Sequence, residues 1–312
     1  MNRCLCCYEP LGADEQVMHA SCVHKFFGVH ELPAFDYTLD HLGEMARQII
    51  HDQTSLTGVQ PKLSLHLREM EGSKRLTIVG LWGRYICKPQ TPHFERLPEV
   101  EDLTMHLAEA VGIRTVPHTL MPMADGSLCY LTERIDRTET GDKVAMEDLC
   151  QLCERQTEHK YKSSYERVGK VISLYSAVPK MDLTAFFEVV LFSWLTGNND
   201  MHLKNFSLYA PNGKDFRFTP AYDLLNAVLV NPADTEELAL TLNGKKKKLK
   251  KADFLQAAQT VGLPPQIVDR LLKKYHRLLP SMQEWVARSF LSDPQKEAYA
   301  ALLSQRLQRL EE

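Results

Sequence analysis

No run in this sequence approaches the roughly 18 consecutive apolar residues of a membrane-spanning helix, which excludes a helical membrane protein. The N-terminus, MNRCLCCYEPLG, has none of the apolar core that a secretory leader requires. Neither sign of charge dominates. With 37 Lys and Arg against 40 Asp and Glu, the formal charge is −3, which argues against a basic nucleic-acid coat and against direct DNA binding. Internal repeats and low-complexity linkers are also missing, so a repeat array is not expected. A cytoplasmic protein is the reading that remains. Its eight cysteines are then expected to be reduced or metal-bound rather than paired in disulfides.

What is present is ordinary for a globular protein: 312 residues, 44% hydrophobic and 25% charged. That length suggests about two domains. Residues 40–52 have the spacing of a short amphipathic helix, with Leu42, Met45 and Ile49 or Ile50 on one face. Leu63, Leu65 and Leu67 alternate as in a strand, and LTIVGLWGRYICKP supplies one or two more, ending at Lys88 before Pro89. LPEVEDLTMHLAEAVGI predicts a helix with Pro98 in its first turn, Glu99, Glu101 and Asp102 near its N-terminus, and Gly112 to close it. RTVPHTLMPM and SLCYLTERID predict a hairpin about ADG. From Val144 onward the periodicity predicts helices over 144–155, 164–175, 182–195, 252–261, 264–280 and 294–310, interrupted by a hairpin turning on Asn212-Gly213. The expected architecture is α/β of the α+β kind, with a mixed-sheet N-lobe, a mostly helical C-lobe and a cleft between them. The divisions read as a Cys-rich segment over 1–28, an N-lobe over 29–137 and a C-lobe over 138–312.

The Cys-rich segment holds Cys4, Cys6, Cys7 and Cys22. Cys4-x2-Cys7 followed by His19-x2-Cys22 has the spacing of a small zinc site, two turns each offering two ligands. Thiolates and a neutral imidazole suit Zn2+, and such a site could staple a segment too short to build its own core. His24 is a spare candidate ligand. The competing reading is that these are small buried residues, with Tyr8, Phe26 and Phe27 packing on the main body.

TGNNDMHLKNFSLYA, residues 196–210, crowds Asn198, Asn199, Asp200, His202, Lys204 and Asn205 behind an apolar helix. These groups either cap the helix or form a site. Asp200-x4-Asn205, then a hairpin, then Asp223 has the order of the protein-kinase catalytic loop and its downstream metal-binding Asp. Phosphoryl transfer needs those parts: a base for the acceptor hydroxyl, Asn and Asp oxygens for Mg2+, a lysine on the phosphates and a cover over them. Lys88, with Glu101 to hold its ammonium, fits the third requirement. The Ser/Thr-rich turn about Gly58, with Lys62 beside it, fits the fourth through its backbone N–H groups. Cys150 and Cys153 form a second C-x2-C on a predicted helix and read as packing. Trp194 and Phe192 read as core. KKKKLKK, 245–251, contributes +6 and reads as a solvated run, or as a grip on an acidic or RNA-bound partner.

At SLTGVQPKLSL, YICKPQTPHFERLPEVEDLTMHLAEAVGI, YLTERIDR, AMEDLCQ, TGNNDMHLKNFSLY and FTPAYDLLNA, the chain resembles the HipA family of bacterial serine/threonine kinases, the toxin halves of toxin–antitoxin modules. The resemblance runs over roughly residues 40–290 with its motifs in the family's order. The chain is short for HipA itself and is more similar to the short HipT-type toxins of three-part modules, in which a separate small protein supplies the missing N-terminal subdomain. The resemblance implies a two-lobed, protein-kinase-like fold and a kinase using ATP and Mg2+. It implies Asp200 as catalytic base, Asn205 and Asp223 as Mg2+ ligands, and Lys88 with Glu101 at the ATP phosphates. Gly58, Lys62, His202 and Lys204 fall around the nucleotide, and Glu133 and Ile135 form the hinge against adenine. Ser55 falls on the serine the family autophosphorylates, and Thr57 on a second hydroxyl position. An aminoacyl-tRNA synthetase is implied as target, with a HipS-like small protein and a HipB-like DNA-binding antitoxin as partners. G-x-G-x-x-G, His-Arg before Asp200, Phe-Gly after Asp223 and Ala-Pro-Glu are all missing, which puts ordinary activation-loop control in doubt. Two other classes compete. One is a nucleotide-binding pseudokinase that docks partners in a DNA-bound repressor complex, which the intact Lys88, Asp200, Asn205 and Asp223 argue against. The other is a small-molecule phosphotransferase, which the Ser/Thr-rich turn disfavours.

Overall fold

The computed structural model describes residues 3–52, 62–70, 72–80, 83–138 and 141–311, with 46–52 described by backbone alone. Ser55, Thr57 and Gly58 lie outside the described residues. Two compact units result: Met1–Asp102, Val116–Asp142 and Arg288–Phe290 form unit 1, and Leu103–Thr115, Lys143–Ala287 and Leu291–Glu312 form unit 2. Among the described residues, no helix is long and apolar enough to cross a membrane.

In unit 1, helices α1 (Ala20–Phe27) and α2 (Leu39–Asp52) precede strands β1 (Leu63–Met70), β2 (Ser73–Val79) and β3 (Tyr85–Pro89). Helix α3 (Leu97–Ala110) follows, then β4 (His118–Pro122) and β5 (Leu128–Glu133). The strands order as β2-β1-β3-β5-β4 in one sheet. The sheet was expected to be mixed; its strands pair antiparallel throughout, with one isolated parallel bridge, Ala34 to Arg75, beside it. Period-2 alternation sends Leu63 and Leu65 inward, where they meet Tyr85, Cys87 and Leu131. Val23, Phe26 and Phe27 form the i, i+3, i+4 face of α1 and pack into the same cluster, with Phe26 and Phe27 ring centroids 5.6 and 5.8 Å from that of Tyr85. Burying each such side chain stabilises the unit by about 1.5–3 kcal/mol. Helix α1 was not among the elements expected from the sequence, where this short segment reads as part of the Cys-rich knuckle.

In unit 2, β6 (Ala145–Asp148) leads into α4 (Leu149–Leu152), α5 (Tyr165–Tyr175) and α6 (Pro179–Leu195). Then come β7 (Ser207–Ala210), β8 (Arg217–Phe218), α7 (Ala227–Val230), α8 (Lys251–Thr260), α9 (Gln266–Arg288) and α10 (Asp293–Arg309). The helix expected over 144–155 is replaced by a strand and a single turn. Ala145–Asp148 pairs with Ala210–Ser207, and Asp148 caps the turn in a reciprocal box with Gln151. A β6-β7-β8 sheet results, a hairpin with one added strand. Helix α9 runs beyond the expected 280 to Arg288, carrying Pro280 inside it. Trp194 and Phe192 are fully buried, as expected of core residues.

Candidate active site

The site in unit 2 starts where α6 stops. Over 189–195 the helix is apolar on nearly every side, and all seven residues are buried. Gly197 ends it with φ +76; its N–H bonds the Trp194 carbonyl at 3.3 Å, and Asn198 N–H bonds the Ser193 carbonyl at 2.8 Å. Arg306 also donates to the Trp194 carbonyl. The carbonyl end of the helix is therefore satisfied by backbone and by Arg306, which removes capping as the reason for the polar groups that follow.

Those groups form a closed local network. Asn198 Oδ1 accepts from Asp200 N–H at 3.3 Å, and the Asp200 carbonyl accepts from His202 N–H at 2.8 Å. Asn205 N–H returns to the His202 carbonyl at 3.0 Å, and Asn205 Nδ2 donates to the Asp200 carbonyl at 3.2 Å. The five-residue spacing thus brings Asn205 back onto Asp200. With Nδ2 so committed, the group that Asn205 keeps for a cation is Oδ1. Buried Tyr165 donates to the Met201 carbonyl at 3.0 Å, tying the loop to α5.

Asp200 is exposed, and its Oδ1 accepts from the Tyr161 hydroxyl at 2.5 Å. Burial, that bond and the charges of Asp200 and Asp223 push the Tyr161 hydroxyl well up from its usual range. His202 is buried, its ring 5.0 Å from that of Tyr161. Burial holds its imidazole below the usual value, while Asp200 and Asp223 pull it up and Lys160 pulls it down. Tyr222, next to Asp223, donates its hydroxyl to the Lys204 carbonyl at 3.1 Å, which brings the Asp223 segment onto the 200–205 loop. Asp223 has φ +59, a conformation that Asp tolerates better than most residues. Lys204 Nζ lies 3.6 Å from Asp148 Oδ2. Tyr161 was missed in the sequence, where it stands in a polar loop with no period or motif to mark it.

In unit 1, β3 presents Lys88 and α3 presents Glu101. Lys88 Nζ donates to Glu101 Oε1 at 2.5 Å and lies 5.4 Å from the Tyr130 ring centre. Both are nearly fully buried, at 4% and 2% exposed, where an unpaired ammonium would be too costly to keep charged. At the end of β5, Glu133 N–H donates to the Pro117 carbonyl at 2.9 Å. An antiparallel pair of this kind exchanges two bonds, but Pro117 has no N–H to return, so the Glu133 carbonyl is left to a different donor. The Glu133 side chain turns to Arg84 Nε at 2.7 Å. Ile135 is half-buried two residues on, and Lys62 is exposed just before β1.

The N-terminal quartet also assembles. One ligand atom from each of Cys4, Cys7, His19 and Cys22 lies within 4.8 Å of every other. Elsewhere, Cys150 Sγ donates to the Arg155 and Gln156 carbonyls, 3.4 Å each, in keeping with packing.

The family described as HipA-like C-terminal domain matches residues 54–282. "Putative kinase Y4dM" of Sinorhizobium fredii is 31% identical over 229 residues, covering 69% of this chain and 55% of its own length. "Putative kinase Y4mE" of the same organism is 31% identical over 247 residues, covering 75% of this chain and 56% of its own. The chain thus spans about half the length of these curated relatives. Among solved structures, the HipA toxin–antitoxin complex of Shewanella oneidensis with HipB and operator DNA aligns with a TM-score of 0.68 at 22% identity, over 83% of this chain and 65% of that one. The proinflammatory kinase CtkA of Helicobacter pylori aligns at 0.53 and 15% identity, over 80% and 93%. The mixed α and β fold is the fold of these kinases.

Proposed function

The chain belongs to the HipA-like C-terminal domain family, and on that premise we propose that it is an ATP- and Mg2+-dependent protein serine/threonine kinase, the toxin of a toxin–antitoxin module. The observation that carries this reading is the unit 2 loop, where Asn205 folds onto Asp200 and Tyr222, the neighbour of Asp223, bonds the Lys204 carbonyl of the same loop. In this reading Asp200 accepts the proton of the acceptor hydroxyl. Asn205 Oδ1 and the Asp223 carboxylate, two hard oxygen donors, hold Mg2+. The cation supplies charge neutralisation on the transferring phosphoryl group. Lys88, kept charged and fixed by Glu101, binds phosphate, and the unreturned Glu133 carbonyl accepts from the adenine amine with Ile135 N–H beside it. Lys204 exchanges Asp148 for the nucleotide's γ-phosphate, while buried His202 shapes the loop beneath the nucleotide.

The finer assignments rest on the sequence motifs. Ser55 and Thr57, which the motifs assign with Gly58 and Lys62 to the ATP phosphates, are autophosphorylated, which adds about −1.5 to −2 charge and competes with ATP for the same donors. The HipT type, an aminoacyl-tRNA synthetase as substrate, and HipS-like and HipB-like partners complete the proposal; the HipB in the Shewanella HipA complex supports the last. The test is incubation of purified protein with γ-labelled ATP, Mg2+ and bacterial extract. Wild type is expected to label a discrete extract protein and itself, and Lys88→Met to label neither. Equal labelling by both would overturn the proposal. Mass spectrometry that found phosphate on Ser55 or Thr57 equally in Lys88→Met, or in neither protein, would remove self-modification as the control.

A further inference from the structure

We propose that Cys4, Cys7, His19 and Cys22 hold a structural Zn2+ ion, and that the knuckle it closes braces the first turns of α3, where Glu101 meets Lys88. Two independent sets of contacts carry the two halves.

The first is the donor set. Cys7 Sγ lies 3.3 Å and Cys22 Sγ 3.9 Å from His19 Nδ1. A tetrahedral ion with Zn–S of about 2.3 Å and Zn–N of about 2.0–2.1 Å separates neighbouring S and N donors by about 3.6 Å, between those two distances. Three thiols and one imidazole with no carboxylate form a set that selects zinc over hard cations. The imidazole is also oriented for the task. His19 Nε2 lies 3.1 Å from the Pro10 carbonyl and 3.6 Å from Glu15 Oε2, so Nε2 carries the proton and the Nδ1 lone pair faces the sulfurs. His19 N–H points at Cys4 Sγ from 3.4 Å, a bond that stabilises a thiolate. The first turn is closed by Tyr8 N–H on the Cys4 carbonyl at 2.9 Å, with Tyr8 at φ +62. The second is the entry to α1, so each pair of ligands comes from one turn. Packing alone requires neither the convergence on one nitrogen nor the outer carbonyl, and Cys6, in the same segment, stands outside the quartet.

The second set is mechanical. Tyr8 follows Cys7 directly, is fully buried, and donates to Asp102 Oδ2 at 2.7 Å. The other Asp102 oxygen meets His118 Nδ1 at 2.7 Å. Asp102 is the residue after Glu101, so the knuckle is tied by a buried charge-assisted bond to the turn that holds Lys88. Cys4 itself sits in the core with Val23, Phe26 and Phe27. A metal-free knuckle releases Tyr8 and loosens that turn; the consequence for nucleotide binding rests on the kinase reading, whereas the metal and the bracing do not.

Elemental analysis of the full chain purified without chelator is expected to find about one zinc per chain. Cys6→Ser should keep it, and Cys7→Ser with Cys22→Ser should lose it. Hydrogen exchange of the peptide around Glu101 should quicken when zinc is chelated, and also in Tyr8→Phe with zinc still bound. Wild type without zinc, or with the quartet's thiols in a disulfide, would overturn the site. Zinc present with unchanged exchange around Glu101 in both chelated protein and Tyr8→Phe would overturn the bracing. None of these readouts uses ATP, so failure of the kinase proposal is separately visible in the labelling experiment.

Discussion

A carboxylate as exposed as Asp200 adds little to packing, whereas Asp223 holds a left-handed backbone position and His202 a buried ring. Their tests differ accordingly. Asp223→Asn keeps a residue that tolerates φ +59 and removes the charge, so the fold should persist while affinity for Mg2+-ATP falls by about tenfold or more. Calorimetric titration checks this, and unchanged affinity would count against Asp223 as a metal ligand. His202 gives a pH signature. Its folded pKa is lowered by burial, so at pH values below about 6.5 the unfolded chain binds a proton that the folded chain refuses. That part of the stability is present above the unfolded value and is lost as pH falls through the folded one. Wild type should lose more of its melting temperature between neutral and mildly acidic pH than His202→Gln does; parallel losses would contradict the assignment. At this scale the sequence singled out Asp200-x4-Asn205, and the fold joins the two residues through Asn205 Nδ2 and the Asp200 carbonyl. The sequence was silent on Tyr161, whose contact with Asp200 spans 39 residues and follows from tertiary folding alone.

The end of α6 is the element on which the loop depends. A Cβ at Gly197 would lie 2.8 Å from both Asn226 Oδ1 and Leu302 Cδ2, at a φ of +76. Gly197→Ala should therefore destabilise the protein by about 1–3 kcal/mol, read as a lower denaturation midpoint. An unchanged midpoint would show that the turn relaxes freely. The KKKKLKK run is largely solvated, as expected, with Lys245, Lys247, Lys248 and Lys250 exposed, but three of its lysines are ion-paired. Lys245 meets Asp253 Oδ1 at 2.7 Å, Lys246 meets Glu236 at 3.0 Å and Lys251 meets Asp269 at 2.8 Å. Nearly buried Asp253 also accepts from Asn243 Nδ2 at 2.8 Å and from Lys250 N–H at 3.0 Å. Asp253→Ala leaves these donors unmet at the start of α8 and should lower the midpoint, whereas Lys248→Ala should not. Long helices such as α5, α6 and α10 could be read from their own residues, α6 from its continuous apolar run and α5 from its apolar spacing. Strand β6 could not, because its four residues gain their hydrogen bonds only from β7, some 60 positions away.

At the level of the whole chain, the sequence signalled a β-rich first part and a helical second part. Their order follows from local pattern alone: period-2 runs to Glu133, then 3.6-period runs from Tyr165. Lys88 and Glu101 were legible as a pair because a strand-end lysine just before an acidic helix start has few other partners, and the buried 2.5 Å contact joins them. What the pattern could not convey was how the Cys-rich segment attaches. That depends on Tyr8 reaching Asp102, a bond between residues 94 positions apart. The central claim is that this chain transfers phosphate with Asp200 as its base. The most direct measurement compares transfer from γ-labelled ATP by wild type and by Asp200→Ala, with melting temperature recorded beside it. Asp200→Ala is expected to melt as wild type does and to transfer phosphate more than about a hundredfold more slowly. Transfer within a few fold of wild type by a folded Asp200→Ala protein would contradict the claim.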